Sequence, residues 1–229
     1  MKKEDLGFAF IFILLFLPFF VSERIYDHYI LFNSEHGFIT SFIKFAVLAS
    51  YGEVLGLRIR TGKYGLKGFG LLPRVIIWGF LGVAIKAAFM IFSAGGPAIL
   101  AYLGMEDPTG ILSGPVSWAK LLVAFSVSLT LNLIFSPVLM TLHRITDAHI
   151  MQYKGSIECF IKPVDFRTIL SGLDWNIHWG FVLKKTIPFF WVPAHTITFM
   201  LPADFQILFA ALLGVVLGVI LAFAAASQN

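Results

Sequence analysis

Six nearly unbroken apolar stretches divide this chain, and most are long enough to cross a lipid bilayer. A bilayer core takes about 20 helical residues. The pattern predicts spans at Leu6–Val21, Phe38–Leu57, Arg74–Ser93, Ser117–Leu142, Thr186–Leu201 and Asp204–Ala225. The fifth is short and the first slightly so. Between the third and fourth, Gly95-Gly96-Pro97 leads into an apolar piece ending at Gly104. That piece is too short to cross and is expected to lie re-entrant or at the interface. The mixed segment from Arg144 to Lys185 predicts interfacial helices. No repeat or boundary is visible, so residues 1–229 read as one transmembrane domain, an all-α polytopic bundle.

The most irregular stretch is TIPFFWVPAHTITFMLP, from Thr186 to Pro202. A simple anchor has no need of Pro188, Pro193 and His195. Broken, polar-spiked segments occur where backbone lines a cavity or is buried in protein.

Composition agrees with the pattern. Of 229 residues, 58% are hydrophobic and 13% charged, and the mean hydropathy is +0.86. A soluble domain is about a quarter charged, so this is an integral membrane protein. The net charge of +4 does not point to nucleic acid, because the basic residues cluster in loops between apolar stretches.

Those loops set an orientation through the excess of Lys and Arg on the cytoplasmic side. Lys2 and Lys3 place the N-terminus inside. Arg58, Arg60, Lys63, Lys67 and Arg74 place the loop after span two inside, where it is expected to contact anionic lipid headgroups. The loops holding Glu23, Asp27 and Glu35, and then Glu106 and Asp107, fall outside. Both termini are expected inside a cytoplasmic membrane. Glu4 and Asp5 in the leader, and no small-residue cleavage site after Val21, read as a retained first span rather than a signal peptide. The single cysteine, Cys159, excludes an intrachain disulfide framework.

Counting helical rise from the inner ends places Lys44, Lys86, Asn132 and His195 at roughly 14–20 Å, on four helices. Glu53 sits nearer the inner face. It lies on the opposite side of its helix from Lys44, so the two do not neutralise each other. A lysine at mid-bilayer is costly unless it faces protein or water, or snorkels outward. Ser128, Asn132 and Ser136 share one face of span four, and Trp191, His195 and Thr198 share one face of span five. Such stripes serve interhelical hydrogen bonding or line a path. Ala210, Gly214, Gly218 and Ala222 recur every fourth residue, a face for close packing within the chain or against a second copy.

Two carboxylate–histidine pairs stand at i, i+4 near the inner surface: His143 with Asp147, and Asp174 with His178. Four such residues can bind a metal if the segments meet, although nothing in the spacing requires it. There is no Gly-rich phosphate loop, GxSxG, HExxH or nucleophile beside a base, so neither an enzyme nor a cofactor is expected.

Several motifs stand in an order that resembles the twenty-two-kilodalton peroxisomal membrane protein family, which has mitochondrial inner-membrane members and distant bacterial relatives. Gly52-Glu53 matches its Gly-Asp, and Gly96-Pro97 with Tyr102 matches its Gly-Pro and aromatics. Asn132 before Pro137 stands at the Gln of its Asp-Gln pair, with Leu131 at the Asp. Its Trp-Pro, Gln, Asn-Phe signature appears as Trp191, a displaced Pro193, His195 for Gln, Thr198 for Asn, and Phe199. Pro202 falls one residue early, and Gln206 replaces an arginine. The match covers residues 38–225. The resemblance implies a multi-span helical protein of a family whose members form weakly selective pores or affect metabolite handling, and it implies no enzyme.

The expected function is a channel- or transporter-like protein passing or binding a small polar or anionic solute. Lys44, Glu53, Lys86, Asn132, Trp191, His195 and Thr198 are the candidates for its path. A non-transporting assembly subunit using the Gly214/Gly218 face is the alternative, and a metal-dependent membrane enzyme the third reading.

Overall fold

A backbone in lipid has no water to bond to, so the apolar stretches must close their hydrogen bonds within themselves as helices. The computed structural model describes residues 3–226, with side chains to residue 220; Lys2 and the side chain of Ala222 fall outside it. Every regular element among the described residues is helical. In order these are α1 (Lys3–Val21), α2 (Glu23–Glu35), α3 (Gly37–Thr61), α4 (Leu71–Tyr102), α5 (Pro108–Ser113) and α6 (Trp118–Gln152). There follow a 3-10 turn (Ile157–Phe160), α7 (Phe166–Ser171), α8 (Trp175–Ile177), a π-helix (His178–Trp191), α9 (Val192–Met200) and α10 (Ala203–Ala226).

Five of these, α1, α3, α4, α6 and α10, are long and apolar enough to cross a membrane. The chain is therefore an all-α, multi-pass membrane protein. The expected fifth span is instead a junction: the π-helix carries Pro188, and α9 begins with Pro193 in its first turn. The Gly95–Gly104 piece is not separate. α4 runs 32 residues through Gly96 and Pro97 to Tyr102, and both residues are buried. α6 likewise continues past Leu142 to Gln152, which carries His143 and Asp147 on a regular helix.

The described residues form two compact units parted after Thr40. In the first, α1 packs on α2, with the Phe19 and Tyr29 rings edge to face at 5.1 Å. The Ser22 hydroxyl accepts from the Ile25 amide at 3.4 Å and caps α2. No residue of α1 is buried among the described residues.

The second unit centres on α6. Val123, Ala124, Val127, Ser128, Leu131 and Asn132 are all at most 1% exposed, at the i, i+3, i+4 spacing of one helix face. α4 and α9 pack against that helix.

Small residues set the helix spacing, as membrane bundles require where no hydrophobic drive separates helix from lipid. A methyl added at Gly82 of α4 would lie 2.7 Å from the Ser41 carbonyl oxygen and 2.6 Å from Phe45 Cβ on α3. One at Gly96 would lie 2.9 Å from Val127 Cα on α6. One at Gly52 of α3 would lie 3.0 Å from Val215 Cα on α10. At the end of the bundle where α3 joins α4, two turns interlock. Gly70 and Gly155 both take left-handed backbone, φ 70° and 73°, and a Cβ on Gly70 would meet Gly155 Cα at 2.6 Å.

Candidate functional site

Two groups of polar residues form within the second unit, and a charged pair lies apart from both.

The first group closes one end of the bundle. Arg74, in the first turn of α4, is 7% exposed. Its Nη1 donates to Glu53 Oε2 of α3 at 2.6 Å and to Asp147 Oδ1 of α6 at 2.6 Å. Its Nε donates to the Phe69 carbonyl at 2.8 Å, and its guanidinium lies 4.7 Å from the Phe69 ring centroid. Glu53 Oε1 accepts from Trp78 Nε1 at 2.6 Å and lies 3.2 Å from His143 Nε2. His143 Nδ1 is 3.7 Å from Asp147 Oδ2, and its ring meets Trp78 edge to face at 4.3 Å. Three helices thus converge on one guanidinium. Buried charges are stable when they are paired and hydrogen-bonded in this way.

By sequence alone, Arg74 reads as one of the basic residues facing lipid headgroups. It belongs to α4 rather than to the basic loop, and its charge is neutralised inside the protein. Glu53, expected on the solute path, is the centre of this network.

The four candidate metal ligands do not come together. Asp174 caps α8, accepting from the Asn176 and Ile177 amides. His178 Nε2 lies 3.0 Å from the Thr141 hydroxyl. Burial lowers the His178 pKa, and the nearby Arg144 charge lowers it further. His143 and Asp147 group instead with Glu53, their ligand atoms within 4.8 Å of one another. Arg74 Nη1 already bridges the two carboxylates at hydrogen-bond distance, so a metal there would face a fixed positive charge.

The second group lies where α6 meets the proline-broken segment. Ser128 Oγ donates to the Val192 carbonyl at 2.7 Å, and Asn132 Nδ2 lies 3.5 Å from the Trp191 carbonyl oxygen. Carbonyls at the π-to-α junction are thereby met by side chains, the way irregular backbone is tolerated at membrane depth. Asn132 also lies 3.1 Å from His195 Nδ1 and accepts from Ser136 Oγ at 2.9 Å. The His195 ring packs edge to face on Phe89 of α4 at 5.6 Å and beside Trp191 at 5.1 Å. Thr198, fully buried, donates to the Ala194 carbonyl. Trp191 Nε1 is buried and has no hydrogen-bond partner among the described residues. The two stripes read from the sequence, Ser128/Asn132/Ser136 and Trp191/His195/Thr198, therefore meet at one interface.

Lys44 stands elsewhere. It is 8% exposed and lies within electrostatic reach of Lys86 on α4 and Asp204 at the start of α10.

On α10, Ala210 is buried, and a methyl on Gly218 would lie 3.5 Å from the Gly52 carbonyl oxygen of α3. Nothing lies within 4 Å of a methyl placed on Gly214.

Sequence reasoning missed Arg74 and Trp78 as partners of Glu53. A signal was present: Glu53 and Asp147 lie within about two turns of the C-terminal ends of α3 and α6, and Arg74 lies in the first turn of α4, which antiparallel neighbours bring to one end of the bundle. Arg74 opens an apolar run, and so was counted with the loop.

Fold and site together define a multi-pass helical membrane protein with buried polar networks at more than one level. No family model, no curated protein and no solved structure matches the chain.

Proposed function

We propose that this chain is a channel- or transporter-like protein of the cytoplasmic membrane, with both termini inside, that binds or passes a small polar or anionic solute. The observation that carries the reading is the Lys44/Lys86 pair. Lys44, buried on α3, lies within electrostatic reach of Lys86 on the adjacent α4 and of Asp204 at the start of α10. Evolution tolerates such charge in an apolar bundle where it serves a pathway. The unpartnered donor of Trp191, beside His195 and Asn132, adds a place for an acceptor group. Membership of the twenty-two-kilodalton peroxisomal membrane protein family is part of the same proposal, and rests on the motif order given above.

The test is anion flux in proteoliposomes of the purified full chain. Wild type is expected to release a loaded anion above protein-free vesicles, and Lys86→Met to slow release by about tenfold, the effect of roughly 1.4 kcal/mol at the barrier. Unchanged flux in Lys86→Met removes Lys86 from the path. No flux from wild type sinks the channel reading.

A second reading, a non-transporting assembly subunit, is favoured by the open space around Gly214 on an otherwise closely packed helix face.

A further inference from the structure

The turn before α4 and the turn after α6 meet main chain to main chain at Gly70 and Gly155. They approach again beside this contact, where a Cβ on Gly68 would lie 3.8 Å from Lys154 Cα. The fold thereby joins residues 60–70 and 151–162, distant in sequence, into one surface at the α3–α4 end of the bundle. Its charge is one-sided. Arg60, Lys63, Lys67, Lys154 and Lys162 are exposed, against the single acid Glu158. No ion pair joins any of the five to an acid among the described residues. Lys154 also takes left-handed backbone, φ 52°, which glycine or asparagine adopts more readily. The turn alone does not call for a lysine there.

The same surface presents large apolar side chains to its surroundings. Leu66, Met151, Ile157, Phe160 and Ile161 are between 41% and 81% exposed. Beside them, between α4, α6 and the 3-10 turn, lies a hollow of about 200 Å³ whose wall includes Ile77, Ile150, Phe160 and Val164. Cations without acid partners, next to exposed apolar groups, are the combination that holds a segment at an anionic membrane surface. The connection at the other ends of α4 and α6, residues 103–117, carries Glu106 and Asp107 and no basic residue.

We propose that the two joined turns bind an anionic phospholipid of the leaflet at this end. Its headgroup phosphate sits among Lys63, Lys67 and Lys154, and an acyl chain lies along Ile157, Phe160 and the apolar hollow. A phospholipid fits better than a soluble phosphate, because a soluble anion has no use for the apolar half of the surface. The surface is separate from the proposed solute path, and half of it, the turn after α6, comes from outside the basic loop.

The test is native mass spectrometry of the full chain in a neutral detergent, with phosphatidylglycerol and phosphatidylcholine of equal chain length competing in equal amounts. The wild type is expected to retain phosphatidylglycerol about tenfold more than phosphatidylcholine. Lys63→Gln, Lys67→Gln and Lys154→Gln combined are expected to abolish that preference, with an unchanged circular dichroism spectrum. Ile157→Ser with Ile161→Ser is expected to lower retention of both lipids about threefold. Raising ammonium acetate from about 0.1 to about 0.5 M is expected to narrow the preference of the unaltered chain, an outcome that depends on no variant. Equal retention of both lipids by the wild type overturns the proposal, and so does a preference that survives the triple substitution or the added salt. Displacement of phosphatidylglycerol by glycerol 3-phosphate at concentrations on the order of 10 mM would also overturn it, by showing a site for a soluble phosphate.

Discussion

Arg74 holds two carboxylates with one nitrogen, its Nε donates to the Phe69 carbonyl, and its guanidinium lies over the Phe69 ring. Removing it leaves Glu53 and Asp147 facing each other with their cation gone. Breaking a buried ion pair from one side costs about 3–5 kcal/mol, and the residual exposure of the two acids points to the lower end. Arg74→Met is expected to lower the thermal midpoint in detergent sharply. Adding Glu53→Gln and Asp147→Asn is expected to recover most of the loss, since an uncharged set carries no unpaired ion. If the triple variant is no better than Arg74→Met, then packing of the guanidinium, rather than charge, is what stabilises this end. The residues themselves were partly legible in the sequence. The sequence places Glu53 near the inner face and pairs His143 with Asp147 at i, i+4, a pair the structure holds at 3.7 Å, but it does not mark Arg74 and Trp78 as the partners that join them. Pairing across helices depends on rotation of one helix against another, and periodicity along a single stretch does not contain that.

At the scale of elements, glycines rather than large side chains decide how α3, α4 and α6 approach. Gly82 and Gly95 lie in the same helix and make a direct comparison. Gly82 faces Ser41 and Phe45 at distances no Cβ tolerates, whereas a methyl on Gly95 meets nothing within 4 Å. Gly82→Ala is expected to destabilise by about 1–3 kcal/mol through overpacking. Gly95→Ala is expected to be neutral, or to stabilise by up to about 1 kcal/mol from helix propensity. Thermal unfolding of both variants in the same detergent checks the pair, and equal effects would show that the α3–α4 approach is looser than its geometry. The long apolar helices were legible because hydropathy over about twenty residues reports them directly. The Gly95–Pro97 passage was not, because the same glycines that weaken a helix in water allow close contact between helices in a bundle. The proline-broken segment was recognised as irregular, yet its π-helical form arises from tertiary packing and has no sequence period of its own.

For the molecule as a whole, the open question is what stands against α10. Val215 and Gly218 lie against Gly52 of α3 and the helix also packs on α9, whereas among the described residues nothing lies within 4 Å of a methyl placed on Gly214. Gly214→Leu separates the two functional readings. If the chain works alone, the substitution is expected to leave both the apparent mass in detergent and any anion flux unchanged. If it is an assembly subunit, the oligomer is expected to dissociate, as size-exclusion chromatography with light scattering would detect, with no flux in either form.

The contact of Gly70 with Gly155 ties the turn before α4 to the turn after α6, main chain against main chain. Side-chain interfaces can slide by exchanging rotamers, but two bare backbones have nothing to exchange. This joint therefore admits no side chain at either position. The turn beside the basic loop and the turn leading to Cys159 are yoked like two links of a chain.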